Sequence, residues 1–243
     1  MFNKMLIATD LTESSEFIIR ALKMLDLVEP FMERQRNELK SYGFETESKL
    51  LLGKPHIEIA READKNDCSL IVCADQSRTM MGEALSGGVA AELIHHTTRP
   101  LLLIRLQQKP ELKTDRIIGD CECLKHILFP TDFSDNARHA FSYVKKLAEC
   151  RAEHISLLHV QDTAKLHPHL SDRIDQFNIT DTERLHQMRV ELLKSGAGTV
   201  SIDLVDGSPK REILKKIKER DVRLTIMGSQ GRGLVKELFI GSV

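Results

Sequence analysis

The chain has 243 residues, enough for two domains of ordinary size, and its 41% hydrophobic fraction can build real cores. Its 35 Lys+Arg and 36 Asp+Glu nearly cancel, which argues against broad nucleic-acid or anionic-membrane binding. No apolar run approaches the ~20 residues of a membrane helix, and the opening MFNKMLIATD turns polar too soon for a signal peptide, so a cytoplasmic protein is expected.

In chain order, MLIATDLT (Met5 to Thr12) opens with a strand, and Glu16 to Leu25 reads as a helix. Leu27 to Pro30 leads into a second helix, Phe31 to Tyr42. The turn at Gly53 and Pro55 starts another, and Ala90 to Thr98 is a helix before the apolar strand Pro100 to Leu106. QQKPELKTDRIIGDCE is a polar, proline-containing linker. Ile127 to Phe129 is then a short strand, and Ser134 caps a helix with the stripe Ala137, Ala140, Phe141, Val144, Leu147 and Ala148. Ile155 to Val160 is a buried strand, and Thr182 to Lys194 is a helix closed by Gly196. Thr199 to Val205 alternates like a strand, and Pro209 starts a helix with Ile213, Leu214 and Ile217 inward. Leu224 to Met227 is the last strand before Gly228. Strands alternating with helices give parallel sheets with right-handed crossovers, whose ligands sit at the carboxyl ends of the strands.

The chain also repeats itself. Gly53 to Val89 lies without a gap on Gly207 to Val243, with Gly53, Pro55, Glu58, Ile59, Asp67, Leu70, Gln76, Arg78, Glu83, Gly87 and Val89 identical in both. Met5 to Thr12 lies likewise on Ile127 to Ser134, sharing Leu, Thr and Asp. Two copies of one unit are expected, 1–108 and 124–243. They are unequally complete: the first has no counterpart of ISLLHV (Ile155 to Val160), and the second stops at Val243, where the first goes on to a helix and a strand. Missing residues are the favoured reason, since a central or terminal strand is hard to delete without exposing sheet edges.

Met227 to Val243 reads MGSQGRGLVKELFIGSV, a strand running into Gly228, Gly231, Gly233 and Gly241-Ser242. Glycine lets backbone amides approach a bulky anion, and a helix opening at Ser242 and Val243 would favour phosphate. There is no Gly-Lys-Ser/Thr of a Walker loop, and Lys236 stands where a dinucleotide fingerprint needs glycine. The Gly228-x-x-Gly231, nine residues, Gly241-Ser242 spacing resembles the ATP-binding loop of the universal stress protein family. The Pro130-Thr131-Asp132-Phe133-Ser134 strand end, Leu158-His159-Val160 and the Gly207-Ser208-Pro209 turn agree with that family in order.

The resemblance implies two doubly wound, Rossmann-like α/β units of the adenine nucleotide α-hydrolase kind, arranged as a tandem pseudo-dimer. Pro100 to Leu106 would be the strand that pairs across it. It implies that Asp132, with Pro130 and Thr131 through backbone, contacts the ribose or adenine side. Val160 would pack on adenine, and Met227 would flank base or sugar. Gly228, Ser229, Gln230, Gly231, Arg232 and Gly233 would wrap the phosphates, with Gly241, Ser242 and Val243 receiving their oxygens. The ligand would be ATP, ADP or AMP, with room for magnesium. The function implied is a nucleotide-binding regulator of the stress response, acting on an unidentified protein partner, alone or as a homodimer. No membrane or nucleic-acid partner is expected.

The first copy is degenerate at this loop: Ala74 and Ser77 replace the first two glycines, Asp75 replaces Ser229, and Gly87-Gly88 replaces Gly241-Ser242. A carboxylate there would repel phosphate. Two other readings compete: a slow ATPase or phosphotransfer enzyme, for which no general base is visible, and a dimerisation scaffold with no nucleotide.

Weaker candidates remain. His95 and His96 point about 100° apart on a helix and rarely share a metal, and no third ligand follows four residues later. His167 and His169 read as polar surface, and Lys210, Arg211, Lys215, Lys216 and Lys218 as the wet face of a helix. Cys68, Cys73, Cys121, Cys123 and Cys150 have no framework spacing and are expected to be free thiols.

Overall fold

The computed structural model describes residues 4–8, 30, 32–75, 89–105, 122–162 and 174–229. They fall into two compact units. The first holds β1 (Met5–Ala8), a helix α1 over residues 32–41, α2 (Pro55–Lys65), β2 (Leu70–Asp75), α3 (Val89–His96) and β3 (Leu101–Arg105). Its strands are parallel in the order β1-β2-β3. The second holds β4 (His126–Pro130), α4 (Asp135–Glu149), β5 (His154–Gln161), α5 (Ile174–Lys194), β6 (Thr199–Asp206), α6 (Pro209–Glu219) and β7 (Leu224–Thr225). Its four strands are parallel in the order β6-β5-β4-β7. This is the doubly wound α/β arrangement expected from the alternation of elements.

The internal repeat survives as geometry. Met5 pairs with Leu70 in the first sheet as Ile127 pairs with Leu224 in the second. The turns before α2 and α6 also coincide: Gly53 and Gly207 lie at φ +145° and +141°, each followed by a proline at the helix start. Each helix closes on an aspartate in the left-handed region, Asp67 at φ 50° and Asp221 at φ 47°. In both turns the glycine is needed because a Cβ would strain the backbone at this φ, and at Gly53 it would also press on Glu58.

Apolar side chains cover both faces of the second sheet. Ile127, Phe129, Ile155, Leu157 and Val200 meet Ala140, Phe141 and Val144 of α4 and Leu185 and Leu192 of α5. Leu128 and Leu158 face the other way, onto Ile213 of α6, with Val160, Val205 and Ile217 beside them. α4 forms where its stripe predicts, and Ser134 Oγ accepts from the Ala137 amide at 3.2 Å as its cap.

Four expectations are corrected. α5 begins at Ile174, two turns before Thr182, and Asp181 lies within it and accepts from Gln161 across the fold. Leu214 is exposed on α6, while Ile213 and Ile217 turn inward. The last strand is only Leu224–Thr225, although the Ile226 amide still donates to Leu128. Cys123 is disulfide-bonded and is therefore not a free thiol. The expected helix Glu16 to Leu25 and the pair His167 and His169 lie outside the described residues, and residues 44–50 hold no strand.

Candidate functional site

In the second sheet the strand order reverses between β4 and β7, so chain leaving their carboxyl ends flanks the topological switch point. Pro130, Thr131 and Asp132 leave β4 there, and Met227, Gly228 and Ser229 follow β7 beside it. Val160 lies at the carboxyl end of β5, with its side chain on the α6 face. The sheet thus brings together three of the segments that the sequence assigns to the site. Gln230, Gly231, Arg232, Gly233, Gly241, Ser242 and Val243 lie outside the described residues.

The elbow after β4 is tightly fixed. Thr131 is buried, its amide donates to Leu158, and its Oγ1 accepts from the Phe133 amide at 3.1 Å. Asp132 Oδ1 accepts from the Ser134 amide at 3.0 Å, and Phe133 is held at φ 58°. Such side-chain bonds to the backbone two residues on are what make Thr and Asp good turn residues.

Sequence reasoning missed a group that braces this elbow. His159 Nδ1 donates to the Thr131 carbonyl at 2.7 Å, which fixes its tautomer, and its ring packs on Phe133 with centroids 4.6 Å apart. His159 Nε2 faces Asp181 Oδ2 at 3.4 Å, and buried Gln161 donates to the same carboxylate at 3.3 Å. Arg184 reaches Asp181 and lies over the Phe133 ring at 5.3 Å. The spacing of Asp181 and Arg184, one turn apart, was visible in the sequence. Their facing of β5 was not, since the stretch before Thr182 was not read as helix.

Gly228 has a packing reason of its own. A Cβ there would come within 2.9 Å of Asn136 C and 3.0 Å of the Ala137 amide nitrogen, the first turn of α4. The glycine lets the chain after β7 close on the α4 amino terminus, where the free amides of a helix point outward.

The opposite end of the sheet carries a different polar cluster. Arg220 binds Asp203 through two bonds of 2.6 and 2.7 Å, and Lys216 joins the same carboxylate at 3.1 Å. His126 Nε2 meets Ser156 Oγ at 2.8 Å, and the His126 and His154 rings stand edge to face, 4.5 Å apart. Burial, then His126 and Arg220, hold the His154 imidazole below its ordinary pKa. This network is saturated by its own members and knits β4, β5, β6 and α6 together.

The sequence model described as "Universal stress protein family" matches residues 13–105 and again 124–243. The chain belongs to the universal stress protein family. Its two matches make it a tandem form. It is 31% identical over 138 residues to a universal stress protein of Methanocaldococcus jannaschii, covering 49% of this chain and 85% of that one. A universal stress protein structure from Archaeoglobus fulgidus is similar over 98% of this chain and 79% of its own, at 21% identity and TM-score 0.67. A structure of a protein of unknown function from Pseudomonas aeruginosa matches 91% of this chain and 79% of its own, at 14% identity and TM-score 0.57. These two show the fold. Among the described residues no helix is long and apolar enough to cross a membrane.

Proposed function

We propose that this tandem universal stress protein binds an adenine nucleotide in its second unit, with 124–243 as the binding domain and 1–108 as its degenerate partner. Occupancy would change its shape or its choice of protein partner, as befits a cytoplasmic regulator built as a pseudo-dimer. The observation that carries this reading is the pairing of β4 with β7, which sets Asp132 beside the start of the glycine loop at the switch point. Asp132 would take the sugar hydroxyls, Val160 and Met227 the base, and the chain from Gly228 through Gly233 the phosphates. Gly241, Ser242 and Val243 would close over them.

The scaffold alternative has one observation behind it: Gly228 is required by its contact with α4 whether or not a ligand is present. The deciding experiment is mass spectrometry of small molecules released from the denatured pure protein, followed by calorimetry with ATP, ADP and AMP. Asp132→Asn keeps an oxygen for the Ser134 amide and removes the charge, so the elbow should survive while affinity falls about tenfold, the worth of one charge-assisted bond. Absence of released nucleotide together with no heat at millimolar ligand would leave the scaffold reading standing.

A further inference from the structure

We propose that the first unit holds a divalent transition metal of the zinc class between α2 and α3, on His56, Glu92 and His96. One ring nitrogen from each histidine and a carboxylate oxygen of Glu92 all lie within 4.8 Å of one another. His56 is the second residue of α2, while Glu92 and His96 sit one turn apart on a single face of α3. The three therefore come from two elements far apart in sequence, and only the packing of α2 on α3 assembles them.

The chemistry of the set is specific. Two imidazoles and a carboxylate suit zinc and its neighbours, whereas magnesium and calcium take oxygen ligands. Three protein ligands leave the fourth position to water, and partial exposure of all three side chains gives the ion a way in. The His56 and His96 rings lie 4.7 Å apart at their centroids, and among the described residues His56 has no hydrogen-bond partner. His96 Nδ1 donates to the Glu92 carbonyl at 2.8 Å, so its lone pair is on Nε2. A backbone acceptor on the second nitrogen is the usual way an imidazole is oriented for a metal.

Ligands around tetrahedral zinc stand about 3.3 Å apart, so the three side chains, with donor atoms within 4.8 Å of one another, must rotate to close on the ion. The scaffold beneath them is already tied: Arg99, just after α3, bonds Asp64 and Asp67 at the far end of α2, each at 2.8 Å. The carboxyl end of α3 favours a cation, offsetting the amino end of α2, which does not. The repeat supplies a control inside the molecule: Lys210 occupies the position of His56 in the second unit, so the site is peculiar to the first.

The test is zinc titration of the metal-free full chain by calorimetry, with cobalt absorption spectra to report the ligand type. One equivalent should bind. His56→Ala, Glu92→Gln and His96→Ala should each weaken it at least about tenfold, the scale on which even supporting residues of metal sites act. His95→Ala should leave it unchanged. Circular dichroism of the variants, all at partly exposed positions, checks that the fold is kept. Wild-type zinc affinity in His56→Ala or His96→Ala, thiolate charge-transfer bands in the cobalt spectrum, or no zinc binding at all would each overturn the proposal. None of these readouts depends on nucleotide.

Discussion

β1 and β4 are counterparts in the repeat, with the same register against β2 and β7, yet they meet different surroundings. In the second unit β5 pairs along the far side of β4, and Phe129 is completely buried. In the first, no strand among the described residues lies beyond β1, and Ile7, the counterpart of Phe129, is 51% exposed. Similar apolar runs thus give a core strand or a half-wet one according to whether a neighbour is present. The same neighbour decides a second case: Thr199–Asp206 is a strand because β5 is there to pair with it, while the chain before Gly53 is not. Burial belongs to the partner as much as to the residue.

Removing the side chain at the matched position should break the comparison most visibly. Phe129→Ala should cost the second unit about 3–5 kcal/mol, and Ile7→Ala under about 1 kcal/mol in the first, half of its surface being wet already. Hydrogen exchange along β4 and β1 would read the two separately. Next comes the loop glycine. Gly228→Ala should cost about 1–3 kcal/mol and displace the start of α4, since its Cβ meets backbone. At the matching position of the first unit an alanine, Ala74, already stands exposed, and Ala74→Gly should change little. A nucleotide-binding defect in Gly228 variants therefore cannot be separated from the helix shift, which is why Asp132→Asn is the cleaner probe. Ser134→Ala removes the α4 cap and should cost about 1 kcal/mol. Equal protection of α4 with and without Ser134 would show that tertiary packing alone holds that end.

The smallest expected effect is on pH. His154 is held below its ordinary pKa in the folded chain, so the unfolded state binds its proton first as pH falls. The second unit should keep its full stability above about pH 6.5 and lose some as pH falls through the depressed folded value. His154→Asn should flatten that slope in urea unfolding monitored between neutral pH and pH 5.

The alternation of strands and helices, the repeat and the α4 stripe were legible because each rests on local pattern: Ala137, Ala140, Phe141, Val144 and Ala148 are buried where a 3.6-residue period puts them. What was illegible depends on distant chain. The helix was expected to begin at Thr182, but it runs through Asp181, whose carboxylate serves Gln161, His159 and Arg184. The metal triad was invisible for a related reason. The third ligand of His96 was sought downstream, whereas Glu92 lies one turn upstream and His56 on another helix. Among the residues proposed for the nucleotide, the positions of Pro130, Thr131, Asp132 and Val160 at strand ends followed from the strand assignment, while Met227 and Gly228 lie just beyond a strand shorter than expected. The bracing by His159 and Phe133 did not.

Phe133 sits in the left-handed region, a placement that costs a residue with a Cβ about 1–2 kcal/mol. Thr131 Oγ1, Asp132 Oδ1 and the His159 ring hold it there within the folded chain. The elbow is therefore rigid before any visitor arrives, and docking against it sacrifices little conformational freedom. A ligand seated on this corner should leave β4 and the start of α4 where they stand, and any signal it sends must travel through parts of the chain less firmly held.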